Sequence, residues 1–207
     1  MILIIDCQIF PCIYYIRSLM QHKYNKIEKY DYFKKMSFRN RYIIAGANGI
    51  QNLTVPVAGG REQKALMKDI TIDNSIRWQT KHWRSLVSAY NKAPFFEFYS
   101  EAVKSLLFSK EEFLFPFNMQ ILEWLYATLK LDATIEITDA YNKNYKNDTD
   151  YRNYFLPKNY QENSKNQFLH YTQVFEDRLG FLPNLSILDL LFCEGPNAIY
   201  LLNEAVE

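Results

Sequence analysis

The stretch MILIIDCQIFPCIYYIRSLM, residues 1–20, combines two hydrophobic patterns of different period. Residues 2–5 form a continuous apolar run rich in isoleucine, which predicts a buried strand. Further along, Ile13, Ile16 and Met20 recur at helical spacing. Pro11 suits an early helical position, because the N–H that proline lacks has no partner there. A strand followed directly by a helix is typical of the beginning of an α/β fold.

The rest of the chain adds strands, helices and one tight turn. Asn48-Gly49 separates two apolar runs within residues 42–57, which predicts a hairpin. Further strands are predicted at 26–33, 67–73 and 134–138, and helices at 74–91, 95–108, 118–131 and 170–179. The last segment has an alternative, because Tyr171, Gln173 and Phe175 also alternate as in a strand. Residues 139–167 are polar and predict a long loop. We expect one α/β domain over residues 1–207, a mixed β-sheet with an Asn-Gly hairpin, flanked by several helices.

Residues 181–196, FLPNLSILDLLFCEGP, carry polar side chains at the start of an apolar run. Ser186 and Asp189 have the spacing of a capping box, with Asp in the place where Glu is more usual. A helix is therefore predicted between Ser186 and Gly195-Pro196, nearly buried on all sides. On this interpretation the polar residues are signals for the start of a helix rather than parts of a site.

Composition excludes several classes of partner. A formal net charge of +1 gives no overall field for nucleic acid or anionic lipid, so any basic site must be local. Asp6 and Pro11 interrupt the first apolar run well short of the ~20 residues of a stable membrane span, and no positive leader precedes it. We expect a cytoplasmic protein. Its 3 cysteines include no C-x-x-C pair, so no metal site is predicted. Cofactor and oligomeric state stay open.

Basic residues at two places are candidates for anion binding. If residues 38–41 are extended, Arg39 and Arg41 project to the same face on either side of Asn40, and paired guanidinium groups bind phosphate or carboxylate. Arg84 lies with Arg77 and Lys81 on the polar side of the helix predicted at 74–91, where it would extend such a site. The alternative for both places is solvated charge with surface ion pairs.

Three residues are candidates for proton transfer. His82 lies beside Trp78 at the border of the apolar face of its predicted helix, where it either acts as a base near neutral pH or packs as a structural ring. Glu176 and Asp177 lie near the end of the helix predicted at 170–179, where acidic groups oppose the helix dipole and require a partner. Adjacent carboxylates on a helix point about 100° apart, so at most one of them would act.

Short motifs also follow one another in order along nearly the whole chain. They are Gln8, Phe10-Pro11 and Tyr14-Tyr15; Arg39-Asn40-Arg41; LTVPV at 53–57; Trp78 with His82; Tyr90 with Ala93-Pro94; Tyr171-x-Gln173-x-Phe175; and FLPNLSILD at 181–189. Together these motifs resemble the WbqC-like protein family.

The resemblance implies a context more than a reaction. The family's namesake belongs with bacterial O-antigen and lipopolysaccharide biosynthesis, so the hypothesis is group transfer on a sugar nucleotide, an activated sugar or another anionic small molecule, with no nucleic acid partner. Arg39, Arg41 and Arg84 would bind the anion, Gln8 and Asn40 would recognise polar groups, and His82 with Glu176 or Asp177 would transfer a proton. The alternative is a non-catalytic binding or assembly factor for a glycan-synthesis partner.

Overall fold

The structure, a computed structural model, describes residues 1–59, 64–161 and 169–204. The strands are β1 (Ile2–Asp6), β2 (Tyr24–Glu28), β3 (Arg41–Gly46), β4 (Gly49–Thr54), β5 (Thr134–Ile137) and β6 (Thr149–Tyr151). The α-helices are α1 (Ile13–Met20), α2 (Trp78–Tyr90), α3 (Phe96–Leu107), α4 (Leu114–Leu129), α5 (Glu176–Leu179), α6 (Ile187–Glu194) and α7 (Ala198–Glu204). Short 3-10 turns occur at Met67–Asp69 and Gly195–Asn197.

Two separate sheets carry the strands. Four parallel strands lie in the order β5-β2-β1-β6, with Ile2 opposite Tyr24 and Leu3 opposite Thr149. The antiparallel pair β3-β4 closes at Asn48-Gly49, where Gly49 adopts a φ of 111° that favours glycine. The predicted single α/β domain, with its Asn-Gly hairpin and flanking helices, is confirmed; its parallel and antiparallel strands form two sheets.

Chain order in the parallel sheet changes direction at β1. The strands β2 and β5 lie successively on one side of β1, whereas β6 pairs with its other edge. All four strands run in the same direction, so their carboxyl ends meet at one edge of the sheet. In open α/β sheets, ligands bind at this edge, near the point where strand order reverses.

Some predicted elements differ from those observed. The second strand is displaced, at Tyr24–Glu28, and the strand predicted at 67–73 is a 3-10 turn followed by single bridges at Thr71 and Ile72. Helix α4 begins at Leu114, ahead of the predicted 118, because Pro116 lies in its first turn and removes no helical hydrogen bond there.

The C-terminal third of the chain contains further differences, including helix α7, which was not predicted. The predicted helix at 170–179 is limited to Glu176–Leu179. The predicted loop at 139–167 contains β6, a short polar strand whose sequence, TDY, has no apolar run, and residues 162–167 of this loop lie outside the described residues. No helix in the described ranges is long and apolar enough to cross a membrane.

Helix α6 lies in the core and begins as the sequence predicts. The Ser186 hydroxyl accepts a hydrogen bond from the Leu188 N–H, which confirms its predicted capping role. Just before it, Asn184 has a φ of 54°, and its side-chain oxygen accepts from the Tyr14 N–H at the start of α1. The turn before α6 therefore also positions α1.

The Asp189 carboxylate has a larger role than the predicted start of a helix. It is fully buried and accepts hydrogen bonds from the hydroxyls of Tyr90 and Tyr171, both at 2.6 Å, and from the Gln173 amide at 3.1 Å. The Tyr90 hydroxyl in turn accepts from the Ala45 N–H of β3 at 3.2 Å. Burial raises the pKa of Asp189, which its three donors oppose. One carboxylate thus connects α2, β3, α6 and the segment around Gln173.

We expect Asp189→Ala to lower the free energy of unfolding by about 3 kcal/mol or more, because three buried donors lose their acceptor at about 1 to 3 kcal/mol each. Tyr171→Phe removes one of these donors and should cost about 1 to 2 kcal/mol. Urea denaturation measures both values. The exposed Asp132 provides a control, since Asp132→Ala should change stability by less than about 0.5 kcal/mol. An equal loss in both aspartate variants would contradict the proposed role of Asp189.

Candidate functional site

The carboxyl edge of the parallel sheet carries a polar side chain at the end of each strand. Asp6 ends β1 and Glu28 ends β2, while Thr138 follows β5 and Arg152 follows β6. The carboxylates of Asp6 and Glu28 are almost completely buried, at 2% and 0% exposure. Buried charges require close partners, so the two ion-pair clusters at this edge define its structure.

The first cluster is centred on Arg39, whose guanidinium is buried. Its Nη2 lies 2.5 Å from an Asp31 oxygen and 3.2 Å from the Asn153 side-chain oxygen, and its Nε lies 3.8 Å from Asp6. Its Nη1 donates to the carbonyl of Tyr32. These contacts explain why an arginine is tolerated in the interior.

The same cluster contains Gln8, another predicted site residue. The Gln8 amide donates to Asp6 at 3.1 Å and to the carbonyl of Phe155 at 3.3 Å, and the Asn153 N–H donates to the other oxygen of Asp6 at 2.7 Å. The structure therefore brings Gln8 and Arg39 together on one carboxylate. In this arrangement they hold the ends of β1 and β6; substrate binding by either residue stays a prediction.

The second cluster is centred on Arg152, which the sequence analysis did not single out. Its guanidinium lies 3.3 Å from Glu28 and 2.6 Å from Asp150, and it stacks at 5.0 Å over the rings of Tyr141 and Tyr145. It also donates to the carbonyls of residues 142 and 143. Arg152 thereby fastens the segment after β5 over the sheet edge. The signal available in the sequence was an arginine directly after a strand. This strand, TDY, was not recognised because its region lacks hydrophobic periodicity.

Asn40 and Arg41 have different surroundings. The Asn40 amide donates to the carbonyl of Val55 at 2.8 Å, while the Val55 N–H donates back to the carbonyl of Asn40, also at 2.8 Å. Arg41 is half-buried opposite Thr54; its Nε has no hydrogen-bond partner among the described residues, and burial lowers the pKa of the guanidinium. Within the described ranges no hydrogen bond or ion pair joins Arg41 to the carboxylates around Arg39. Its anion-binding role stays a prediction.

His82 lies inside the protein. Its Nδ1 is 3.3 Å from the Tyr42 hydroxyl and its Nε2 is 3.2 Å from the carbonyl of Thr54, and its ring meets those of Trp78 and Tyr42 edge to face. With Nε2 as the donor and Nδ1 as the acceptor, both nitrogens are satisfied in the neutral ring. Burial lowers the pKa of His82 to about 4. The arrangement favours the structural alternative; proton transfer by His82 stays a prediction.

The two predicted acidic partners lie on α5. Glu176 accepts from the Gln173 N–H at 3.0 Å, and its other carboxylate oxygen lies 3.1 Å from Nε2 of His170, whereas Asp177 is exposed. Among the described residues, no hydrogen bond or ion pair joins either carboxylate to His82. The imidazole beside Glu176 is His170, which stacks on Phe181 at 4.4 Å and which the sequence analysis did not select for proton transfer.

A basic cavity of about 470 Å³ lies between the polar face of α2 and the strand β4. Its lining consists of Gln51, Arg77, Thr80, Lys81, Arg84, Ser85 and Ser88. The lining contains no carboxylate, and the salt bridges of the described residues include none of its three cations. Gln51 reaches across to Ser85 with a hydrogen bond of 3.0 Å. This surface carries unneutralised positive charge and includes the predicted residue Arg84.

The lowered pKa of His82 makes stability dependent on pH. An unfolded histidine titrates near 6.5, whereas in the folded protein the pKa is about 4, so protonation favours unfolding. The contribution is fully present above pH 6.5 and is lost as pH falls toward 4, by about 3 kcal/mol in all. We expect the decrease in unfolding free energy between pH 7 and pH 4 to be smaller by this amount in His82→Gln. In the control His170→Gln, which changes an exposed ring, the full decrease should remain; equal slopes in wild type and His82→Gln would refute the assignment.

Comparison with known proteins places the chain in one family. No curated protein and no solved structure matches it. The sequence profile of the WbqC-like protein family matches residues 7–200, a range that includes β2, the hairpin, β5, β6, α2 and α6. The match confirms the resemblance seen in the sequence: the chain belongs to the WbqC-like protein family.

Proposed function

We propose that the protein binds an activated sugar, such as a sugar nucleotide, and takes part in the assembly of bacterial surface polysaccharide of the O-antigen or lipopolysaccharide type. Membership of the WbqC-like protein family supports the context. The basic cavity beside α2 is the observation that carries the chemistry, because it presents cations without neighbouring carboxylates.

The cations of this cavity are held close together by the helix. Arg77, Lys81 and Arg84 precede and occupy α2 at spacings of four and three residues, which places them along one side. Like charges at such spacings repel by about 0.2 to 0.5 kcal/mol per pair in an isolated helix. A phosphate or diphosphate between them would remove this repulsion and accept charge-assisted hydrogen bonds from the guanidinium groups.

The other lining groups suit the uncharged part of such a ligand. Thr80, Ser85 and Ser88 supply hydroxyls, and Gln51 supplies an amide, all of which can donate to or accept from sugar hydroxyls. The volume of about 470 Å³ lies within the roughly 300 to 1,000 Å³ typical of small-molecule sites. An extended nucleic acid is less suitable, because the whole chain has a net charge of only +1.

Within this proposal, group transfer would use the cavity as the binding site of the leaving phosphate. Cleavage of the bond between sugar and phosphate places negative charge on the phosphate oxygens, and fixed cations stabilise that charge in the transition state. The geometry supports Arg84 in this role more directly than it supports His82, which does not line the cavity. Proton transfer by His82, Glu176 or Asp177 is a separate part of the hypothesis.

We expect Arg84→Ala to weaken the binding of a sugar nucleotide by about 10-fold or more, because a hydrogen bond to a charged group is worth about 1.5 to 3 kcal/mol. Isothermal titration calorimetry with a panel of uridine, guanosine and thymidine diphosphate sugars measures this loss. Combining Arg77→Ala with Arg84→Ala should weaken binding further and reduce its dependence on salt.

Lys110 provides the matched control, since it is exposed and does not line this cavity, and Lys110→Ala should bind as the wild type does. If no sugar nucleotide binds, or if the double variant binds as tightly as the wild type, the cavity is not the predicted anion site. A protein complex weakened by Arg84→Ala in the absence of ligand binding would favour the assembly-factor alternative.

A further inference from the structure

A second cavity lies at the carboxyl edge of the parallel sheet. It measures about 320 Å³ and is lined by Tyr30, Tyr32, Leu66, Asp139, Ala140 and Tyr141. The first two tyrosines follow β2 and residues 139–141 follow β5, so this edge cavity lies where two adjacent strands end. The carboxyl edge is the usual ligand position in open α/β sheets. The edge cavity shares no lining residue with the basic cavity.

Buried ion pairs hold the walls of the edge cavity in place. The Tyr30 N–H donates to Glu28 at 2.8 Å, and the carbonyl of Tyr32 accepts from Arg39. On the opposite wall, Tyr141 lies against the guanidinium of Arg152. A pocket whose walls are fixed before binding loses less conformational entropy when a ligand enters. Arg39 and Arg152 are therefore positioning residues for the edge cavity.

The lining determines which class of ligand fits. Tyr32 and Tyr141 are 63% and 49% exposed, so rings are available for contact, and the exposed Asp139 forms no ion pair with a described residue. No cationic side chain is among the lining residues. This composition opposes the binding of a phosphate, in contrast to the basic cavity.

Organic cations are also disfavoured. Aromatic cages bind quaternary ammonium groups through the faces of their rings. Here the Lys29 ammonium already lies 5.1 Å from the ring centre of Tyr30, and Arg152 lies 5.0 Å from that of Tyr141. These two cations already lie against the Tyr30 and Tyr141 rings, so fewer ring faces are free to enclose another cation. The remaining class is neutral, with an apolar face for the tyrosine rings and hydroxyls that can donate to Asp139.

We propose that the edge cavity binds a neutral pyranose ring of a glycan. The apolar C–H face of the sugar packs on Tyr32 or Tyr141, and its hydroxyls donate to the Asp139 carboxylate, which accepts at up to four positions. The inference deepens the proposed function and rests on it only in naming this glycan as the partner of the activated sugar. The edge cavity itself is argued from its own lining.

The test uses the full chain and methyl pyranosides of glucose, galactose, mannose and N-acetylglucosamine, followed by saturation-transfer NMR and titration. We expect saturable binding of at least one pyranoside at millimolar concentration. Tyr32→Ala should raise its Kd about 5- to 10-fold, as the loss of one aromatic contact of about 1 kcal/mol or more requires. Tyr32→Phe keeps the ring and should bind nearly as the wild type does.

Two further variants and a stability measurement distinguish an effect on the edge cavity from a general effect on the fold. Asp139→Asn should also raise the Kd, whereas Tyr200→Ala, which removes a ring 67% exposed on α7, should not. The melting temperature of Tyr32→Ala should equal that of the wild type, because the ring is exposed and the carbonyl that accepts from Arg39 remains.

Several outcomes would overturn the inference. They are no saturable binding of any pyranoside, an unchanged Kd in Tyr32→Ala, or competition by tetramethylammonium at lower concentration than the sugar, which would indicate a cation site. The proposed function is tested separately by uridine diphosphate, whose binding should weaken about 10-fold or more in Arg84→Ala and stay unchanged in Tyr32→Ala. Pyranoside binding without nucleotide binding would support the edge cavity and reject only the anion site.

Discussion

A carboxylate excluded from water, that of Asp189, must find its hydrogen-bond donors inside the protein. The donors are Tyr90, Tyr171 and Gln173. Tyr90 lies on α2, whereas Tyr171 and Gln173 lie before α5 in a segment without regular secondary structure. The cost of burying the charge is offset only when all these parts are in place. Because Tyr90 also accepts from β3, the hairpin and α2, which together border the basic cavity, depend on the same carboxylate.

Arginines of similar chemistry have opposite roles in this structure, and their partners explain the difference. Arg39 and Arg152 are buried among carboxylates, so their charge is already balanced and they hold strand ends and the walls of the edge cavity. Arg84 faces an open cavity without a described acidic partner, so its charge is available to a ligand. The presence or absence of a neighbouring carboxylate, rather than the type of residue, separates the structural arginines from the candidate for ligand binding.

The sequence predicted elements that have a local residue pattern and missed features that arise only between distant residues. Apolar residues recur at helical spacing in α2, α3 and α4, and Asn-Gly between two apolar runs marks the hairpin. Strand β6 consists of the residues TDY and has no such pattern. The spacing of Ser186 and Asp189 indicated the cap but not the tyrosine donors, which lie far away in sequence. Likewise, the sequence left two alternatives for His82, because its burial depends on Tyr42 and Thr54, which lie on the hairpin strands β3 and β4.

The strand order also affects how the chain folds while it is being synthesised. As the chain is synthesised, β1, α1 and β2 can associate with one another, because they follow directly along the chain. The other edge of β1 receives its partner only when Thr149–Tyr151 has been made. Until then an apolar strand presents unpaired backbone groups, which are a template for association with other chains. This edge of β1 is therefore open to such association between the synthesis of β2 and that of β6.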